Sequence, residues 1–197
     1  MQPQAKKTRI GRIIVSFCIV ALISLGFWQR QNLLDAWALR GYEPSIKIAA
    51  LATNAGMSDK GRKIFYVTHP EVQEKSAFYK SCEEGETSVV LGCYKPRDGI
   101  YLLKVDDARL AGVEEVTAAH EMLHAAYTRL SFSEKKRLTN LINDTYNNLT
   151  DPIIDAKVKL YKDSGADVTN ELHSILGSEV GKLPAELEKY YAQYFTN

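Results

Sequence analysis

Residues 112–130 read GVEEVTAAHEMLHAAYTRL. Apolar residues recur at helical spacing, with Val113, Val116, Ala119, Leu123, Ala126 and Leu130 on one face, so the stretch predicts an amphipathic helix. His120 and His124 stand four residues apart on it, which stacks them one turn apart on the same side. Two imidazoles placed this way can bind one zinc ion, and Glu121 beside the first can reach a zinc-bound water and take its proton. Zinc lowers the pKa of that water to about 7, so hydroxide is available at neutral pH. The chain has only four histidines, His69, His120, His124 and His173. Two of them at metal-ligand spacing inside a helix weigh for a metal over two ordinary surface histidines.

A catalytic zinc takes three protein ligands and keeps a fourth position open. The third ligand is expected from residues 170–179, NELHSILGSE, which read as a later helix. Glu171 is the expected ligand and Glu179 the alternative. His173 is either a ligand or a catalytic hydrogen-bond donor to a developing oxyanion, a role that Tyr161, Tyr190 and Tyr191 can also fill. Glu114 and Thr117, one turn before His120, are candidates to support the ligands from behind.

Before the motif helix the pattern is strand-like. Residues 64–68 (IFYVT), 88–94 (SVVLGCY) and 100–105 (IYLLKV) read as strands, with a polar helix-to-loop stretch at 71–87. Lys95-Pro96-Arg97-Asp98-Gly99 is a turn signal joining the last two strands into a hairpin. After the motif the chain is helical: helices are expected from Ser133 to about Leu149, from Asp151-Pro152, from Asn170 to Val180, and from Leu183-Pro184 to Phe195. The fold class is α+β, a small sheet followed by a mostly helical half.

The N-terminus reads differently. Residues 13–29 carry no charge and are mostly Ile, Val, Leu, Phe and Ala, while Lys6, Lys7, Arg9 and Arg12 precede them and Arg30 follows. This predicts a transmembrane signal anchor rather than a cleaved signal peptide, with Phe27, Trp28 and Trp37 as interfacial anchors. The charge asymmetry puts residues 1–12 in the cytoplasm as a basic tail and the rest outside the membrane, extracellular or periplasmic. Residues 30–62 are then a membrane-proximal linker and 63–197 the folded domain.

Cys82 and Cys93 form an even pair suited to a disulfide in an oxidising compartment, while Cys18 is inert packing in the apolar run. The net charge is +1, and no basic stripe interleaves with aromatics, which excludes a nucleic-acid surface.

The His120-Glu121-Met122-Leu123-His124 motif, followed two helices later by residues 170–179, resembles the gluzincin group of zinc metallopeptidases. The resemblance implies that His120, His124 and Glu171 hold zinc and Glu121 is the base. It implies a zincin-like fold in which an edge strand, expected at Ile100–Val105, lies beside the motif helix and orients a peptide or protein substrate. The chain lacks the further glycine and third histidine that metzincins place soon after the motif, since His124 is followed by residues AAYTRL. The alternatives are a non-catalytic zinc-stabilised binding domain, whose site a fourth protein ligand closes, and a metal-free module.

Overall fold

The computed structural model describes residues 5–82 and 90–196, and for residues 5–10, 22–25, 27 and 28 the backbone alone. The chain divides into two compact units, one ending at Arg40 and one beginning at Gly41. The first contains α1 (Ala5–Trp28) and α2 (Arg30–Ala38).

Among the described residues, no helix is long and apolar enough to cross a membrane. This corrects the expected anchor at residues 13–29. The uncharged run has 17 residues, at the lower limit of the ~17–25 that a spanning helix takes. Its helix opens instead on the cations of Lys6, Lys7, Arg9 and Arg12. The single-pass location, with its cytoplasmic N-terminus, falls with the anchor. The anchoring role expected of Phe27 and Trp28 lies outside the described side chains. Cys18, expected to be packed away, is exposed and unpaired.

The second unit contains α3 (Ile46–Asn54), α4 (Asp59–Tyr66), β1 (Glu71–Gln73), α5 (Lys75–Ser81), β2 (Gly92–Lys95) and β3 (Gly99–Leu103). A 3-10 turn at Ala108–Leu110 leads into α6 (Val113–Thr128), α7 (Phe132–Asn147), α8 (Pro152–Ser164), α9 (Val168–Glu179) and α10 (Ala185–Tyr191). Residues 43–62, expected as a linker, are thus part of the fold. The Ser45 and Ser58 hydroxyls accept from the Ile48 and Gly61 backbone N–H groups and cap α3 and α4. These helices bury Ile48, Leu51, Ala52, Ile64 and Phe65. The strand expected at 64–68 is therefore the end of α4. Its β-branched and aromatic residues favour a strand locally, but a capped helix with Ile64 and Phe65 in the core overrides that weak preference.

The sheet has the order β1-β3-β2, with β1 parallel and β2 antiparallel to β3. The hairpin between β2 and β3 closes as the turn residues indicate, with the Asp98 N–H donating to the Lys95 carbonyl at 3.0 Å. Expected as an edge, the strand beginning at Ile100 is instead the central one, because β1, drawn from the supposed helix-to-loop stretch, covers its other side. The edge strand beside α6 is β2. Ser88 and Val89, expected at its start, lie outside the described residues.

Helix α6 is the centre of the unit and packs chiefly against α9. Ala118, Ala125 and Ala126 are buried and let neighbours approach, whereas Val116, expected on the apolar face, is exposed. Gly177 on α9 has a matching role: a Cβ there would lie 2.7 Å from Leu123 Cδ1 and 2.5 Å from Tyr191 Cε1. Ser131, not Ser133, caps α7 through a reciprocal capping box with Glu134. Asp151 caps α8 with Pro152 in its first turn, as expected. The last helix ends at Tyr191, and the chain then returns to residues 56–58, with the Ser58 N–H donating to the Tyr194 carbonyl and the Thr196 N–H to that of Gly56, both at 2.8 Å.

Candidate metal centre

The four-residue spacing on α6 brings His120 and His124 together with their Nε2 atoms 3.1 Å apart. The rings meet edge to face, 4.8 Å between centroids. From α9, Glu171 Oε2 lies 3.7 Å from His120 Nε2 and 3.6 Å from His124 Nε2. A point equidistant from three atoms so spaced lies about 2 Å from each, the length of a metal–imidazole or metal–carboxylate bond (~2.0–2.2 Å). The three side chains could hold a metal ion. They are mostly shielded from solvent, and two ring nitrogens facing each other across 3.1 Å place lone pairs in the same space unless a proton or a cation lies between.

The electrostatics of the metal-free site match this. Burial works against an imidazolium at His120, but the Glu171 carboxylate facing it, with Glu121 and Glu179 nearby, outweighs burial and leaves its pKa raised. Burial also pushes Glu171 up, but His120, His124 and the Tyr161 hydroxyl hold its pKa below the usual carboxylate value. Without a metal, the cluster is thus built to retain positive charge among carboxylates, and a cation can take that place.

Glu121 is buried and lies between α6 and β2. Burial raises its pKa, partly offset by the His124 and His120 charges and by the nearby Tyr94 backbone N–H. That contact follows from the strand register. The Leu103 N–H donates to the Leu91 carbonyl, so residues 91, 93 and 95 turn toward β3 and residues 92 and 94 turn away from it. Gly92 is required here: a Cβ would stand 2.6 Å from Thr117 Cγ2 and 2.9 Å from Glu121 Oε1.

No family model, no curated protein and no solved structure matches the chain.

The remaining expected residues separate by position. Glu179 Oε1 faces the other ring nitrogen of His120, 3.8 Å from Nδ1, and its second oxygen is paired with Lys157. An ion on His120 Nε2 lies on the far side of the ring from Glu179, so Glu179 is no ligand to it. His173 is fully buried, and its Nε2 lies 2.9 Å from the Tyr190 hydroxyl. Burial, reinforced by the charges of His124 and His120, drives its pKa down to about 3. A neutral imidazole closed off from solvent and committed to Tyr190 stands outside the three-atom cluster and is out of reach of a molecule arriving from solvent, which argues against its expected catalytic role. The tyrosines divide likewise. Tyr191 donates to the His173 carbonyl at 2.7 Å and is core, whereas the Tyr161 hydroxyl lies beside Glu171 at the site. Glu114 serves the fold: it accepts from the Val105 N–H at 2.8 Å and pairs with Lys47. Thr117 donates to the Val113 carbonyl and packs against Gly92.

Sequence reasoning missed Ser178. Its Oγ lies 3.5 Å from His120 Nδ1 and donates to the Ser174 carbonyl at 2.7 Å. Its signal was spacing: Ser174 and Ser178 follow Glu171 by three and seven residues, on one helix face.

The Cys82–Cys93 disulfide is formed. It ties the end of α5 to the edge strand β2 rather than stapling a hairpin. Such bonds persist in oxidising environments.

Proposed function

We propose that the protein is a zinc-dependent peptidase of the gluzincin type, with His120, His124 and Glu171 as ligands and Glu121 as general base. The observation that carries the reading is the convergence of three ligand atoms from α6 and α9 on one point, with the buried Glu121 carboxylate on the same helix turn. Two imidazole nitrogens and one carboxylate oxygen suit zinc, a borderline-soft ion bound tetrahedrally by such donors. A zinc ion so held supplies a water of lowered pKa and polarises a carbonyl.

The chain's own groups fit the rest. Glu121, with its raised pKa, is poised to accept a proton and pass it on. Tyr161, near Glu171, places a hydroxyl donor beside the site. The edge strand β2 offers an extended peptide a template at the motif helix, in place of the strand first expected to do so.

The alternative of a closed, structural zinc site needs a fourth protein ligand. The two candidates for it, His173 and Glu179, are held by Tyr190 and by Lys157. That favours the hydrolytic reading. The test uses the full chain with zinc and a mixture of unstructured peptides. Wild type is expected to bind one zinc and cleave, and His120→Ala and His124→Ala to lose both. Glu121→Gln should keep the metal and lose cleavage. Glu121→Gln cleaving at the wild-type rate overturns the mechanism.

A further inference from the structure

His120 has two ring nitrogens, and only one can face the ion. Nε2 points at His124 and Glu171. Nδ1 points at a second cluster that the ligand set does not use: Ser178 Oγ at 3.5 Å and Glu179 Oε1 at 3.8 Å. The Ser178 hydroxyl proton is already given to the Ser174 carbonyl, so toward His120 that oxygen can only accept. Glu179 is an acceptor throughout, and its other oxygen is clamped by Lys157 from α8. Two acceptors facing one ring nitrogen favour a proton on it. A proton on Nδ1 leaves Nε2 with a free lone pair, the form that binds metal.

We propose that Glu179, anchored by Lys157 and assisted by Ser178, is a positioning residue that fixes the Nδ1–H tautomer and the ring orientation of His120 for metal binding. The proposal rests on the metal-site reading above. It gives the C-terminal end of α9 a task distinct from that of Glu171 two turns earlier, and it explains why a lysine on α8 reaches across to that end. The arrangement spans three helices. The metal would therefore bind through a histidine whose orientation depends on α8, an element that contributes no ligand.

The test measures zinc affinity of the full chain by competition with a chromophoric chelator. It also follows exchange of the His120 Nδ1 proton by nitrogen-15 NMR in the zinc-loaded protein, and unfolding of the chelator-treated protein. Glu179→Ala is expected to weaken zinc binding about 10–100-fold, the usual effect of removing a group behind a histidine ligand. It should also speed Nδ1 proton exchange while leaving metal-free unfolding close to wild type. Glu179→Gln, which keeps the shape and an acceptor oxygen, should recover part of the loss, and Lys157→Met should weaken binding by less than Glu179→Ala. Zinc affinity within twofold of wild type in both Glu179 variants, with Nδ1 exchange unchanged, overturns the proposal alone. Failure of the wild-type chain to bind more zinc than His124→Ala overturns the metal-site reading, and the proposal with it.

Discussion

Gly92 and Glu121 are in such close contact that a Cβ on the glycine would stand 2.9 Å from both Cγ and Oε1 of the glutamate. The edge strand therefore forms a wall of the site, and its missing side chain is where the proposed base fits. Gly92→Ala should force the carboxylate and the Thr117 methyl to shift, at about 1–3 kcal/mol of stability, as overpacking does. Misplacing a reacting group by about 1 Å can cost ~10²-fold in rate. On the proposed function, the expected result is peptide cleavage slowed by about that factor with one zinc still bound, read by metal analysis and cleavage assay on one preparation. Wild-type turnover in Gly92→Ala would mean that Glu121 does its work elsewhere or not at all.

Glu171 and His173 are two residues apart on α9 and should behave oppositely. Glu171 supplies one of three converging ligand atoms. Glu171→Ala is expected to lower zinc affinity by more than the ~10–100-fold seen when a group behind a ligand is lost. His173 belongs to the aromatic cluster of Tyr127, Tyr190 and Tyr191. His173→Phe should keep zinc binding near wild type and lose about 1–3 kcal/mol, because the buried Tyr190 hydroxyl is left short of a partner. Zinc titration and denaturant unfolding of both variants separate the roles.

The same histidine gives the metal-free protein a pH signature. Its folded pKa, driven to about 3 by burial, lies below the ordinary value of 6.5. Between those values the unfolded chain binds a proton that the folded chain refuses. The contribution of His173 is thus fully present above pH 6.5 and is lost as pH falls toward 3, by about 1.4 kcal/mol per unit. His120 acts in the other direction: its raised folded pKa stabilises the metal-free fold below 6.5 and loses effect as pH rises through that folded value. Unfolding of chelator-treated protein between pH 7 and 5 should therefore show an acid-side loss in wild type that His173→Phe lacks. Equal slopes in the two proteins would contradict the buried, neutral state of this ring.

The motif helix and the three side chains that could hold a metal ion were legible in the sequence because their signals are local. A four-residue spacing places His120 and His124 on one face whatever surrounds them, and Glu171 follows once α9 packs on α6. The Asp151-Pro152 helix start and the turn at residues 95–99 were legible for the same reason, since caps and turns are written in neighbouring residues. What failed depended on distant contacts. Residues 64–68 look like a strand until the Ser58 cap and burial of Ile64 and Phe65 are known. The strand beginning at Ile100 looks like an edge until Glu71–Gln73, three residues with little pattern of their own, pair with it. His173 looked chemical because it stands two residues from the expected ligand Glu171, yet the tyrosines of α10 make it core. The N-terminal run was read from its apolar residues and basic flanks, yet among the described residues no helix is long and apolar enough to cross a membrane.

Reduction of the disulfide should reach the proposed active site through β2. Cys93 lies between Gly92 and Tyr94, the two residues of β2 in contact with Glu121. Its partner Cys82 is buried at the end of α5, eleven residues earlier in the chain. Closing a loop of that size contributes about 2–4 kcal/mol, mainly by restricting the unfolded chain. Breaking the bond should lower stability by that amount and loosen the edge strand. The proposed ligands on α6 and α9 lie off the strand and should stay in place. Treatment with a thiol reductant, or the Cys82→Ser and Cys93→Ser pair, is therefore expected to leave zinc bound, lower the unfolding midpoint and slow peptide cleavage. If the reduced protein loses its zinc in step with its activity, the strand supports the ligands as well as Glu121. If activity persists at the lower stability, β2 does not depend on the disulfide to hold Glu121.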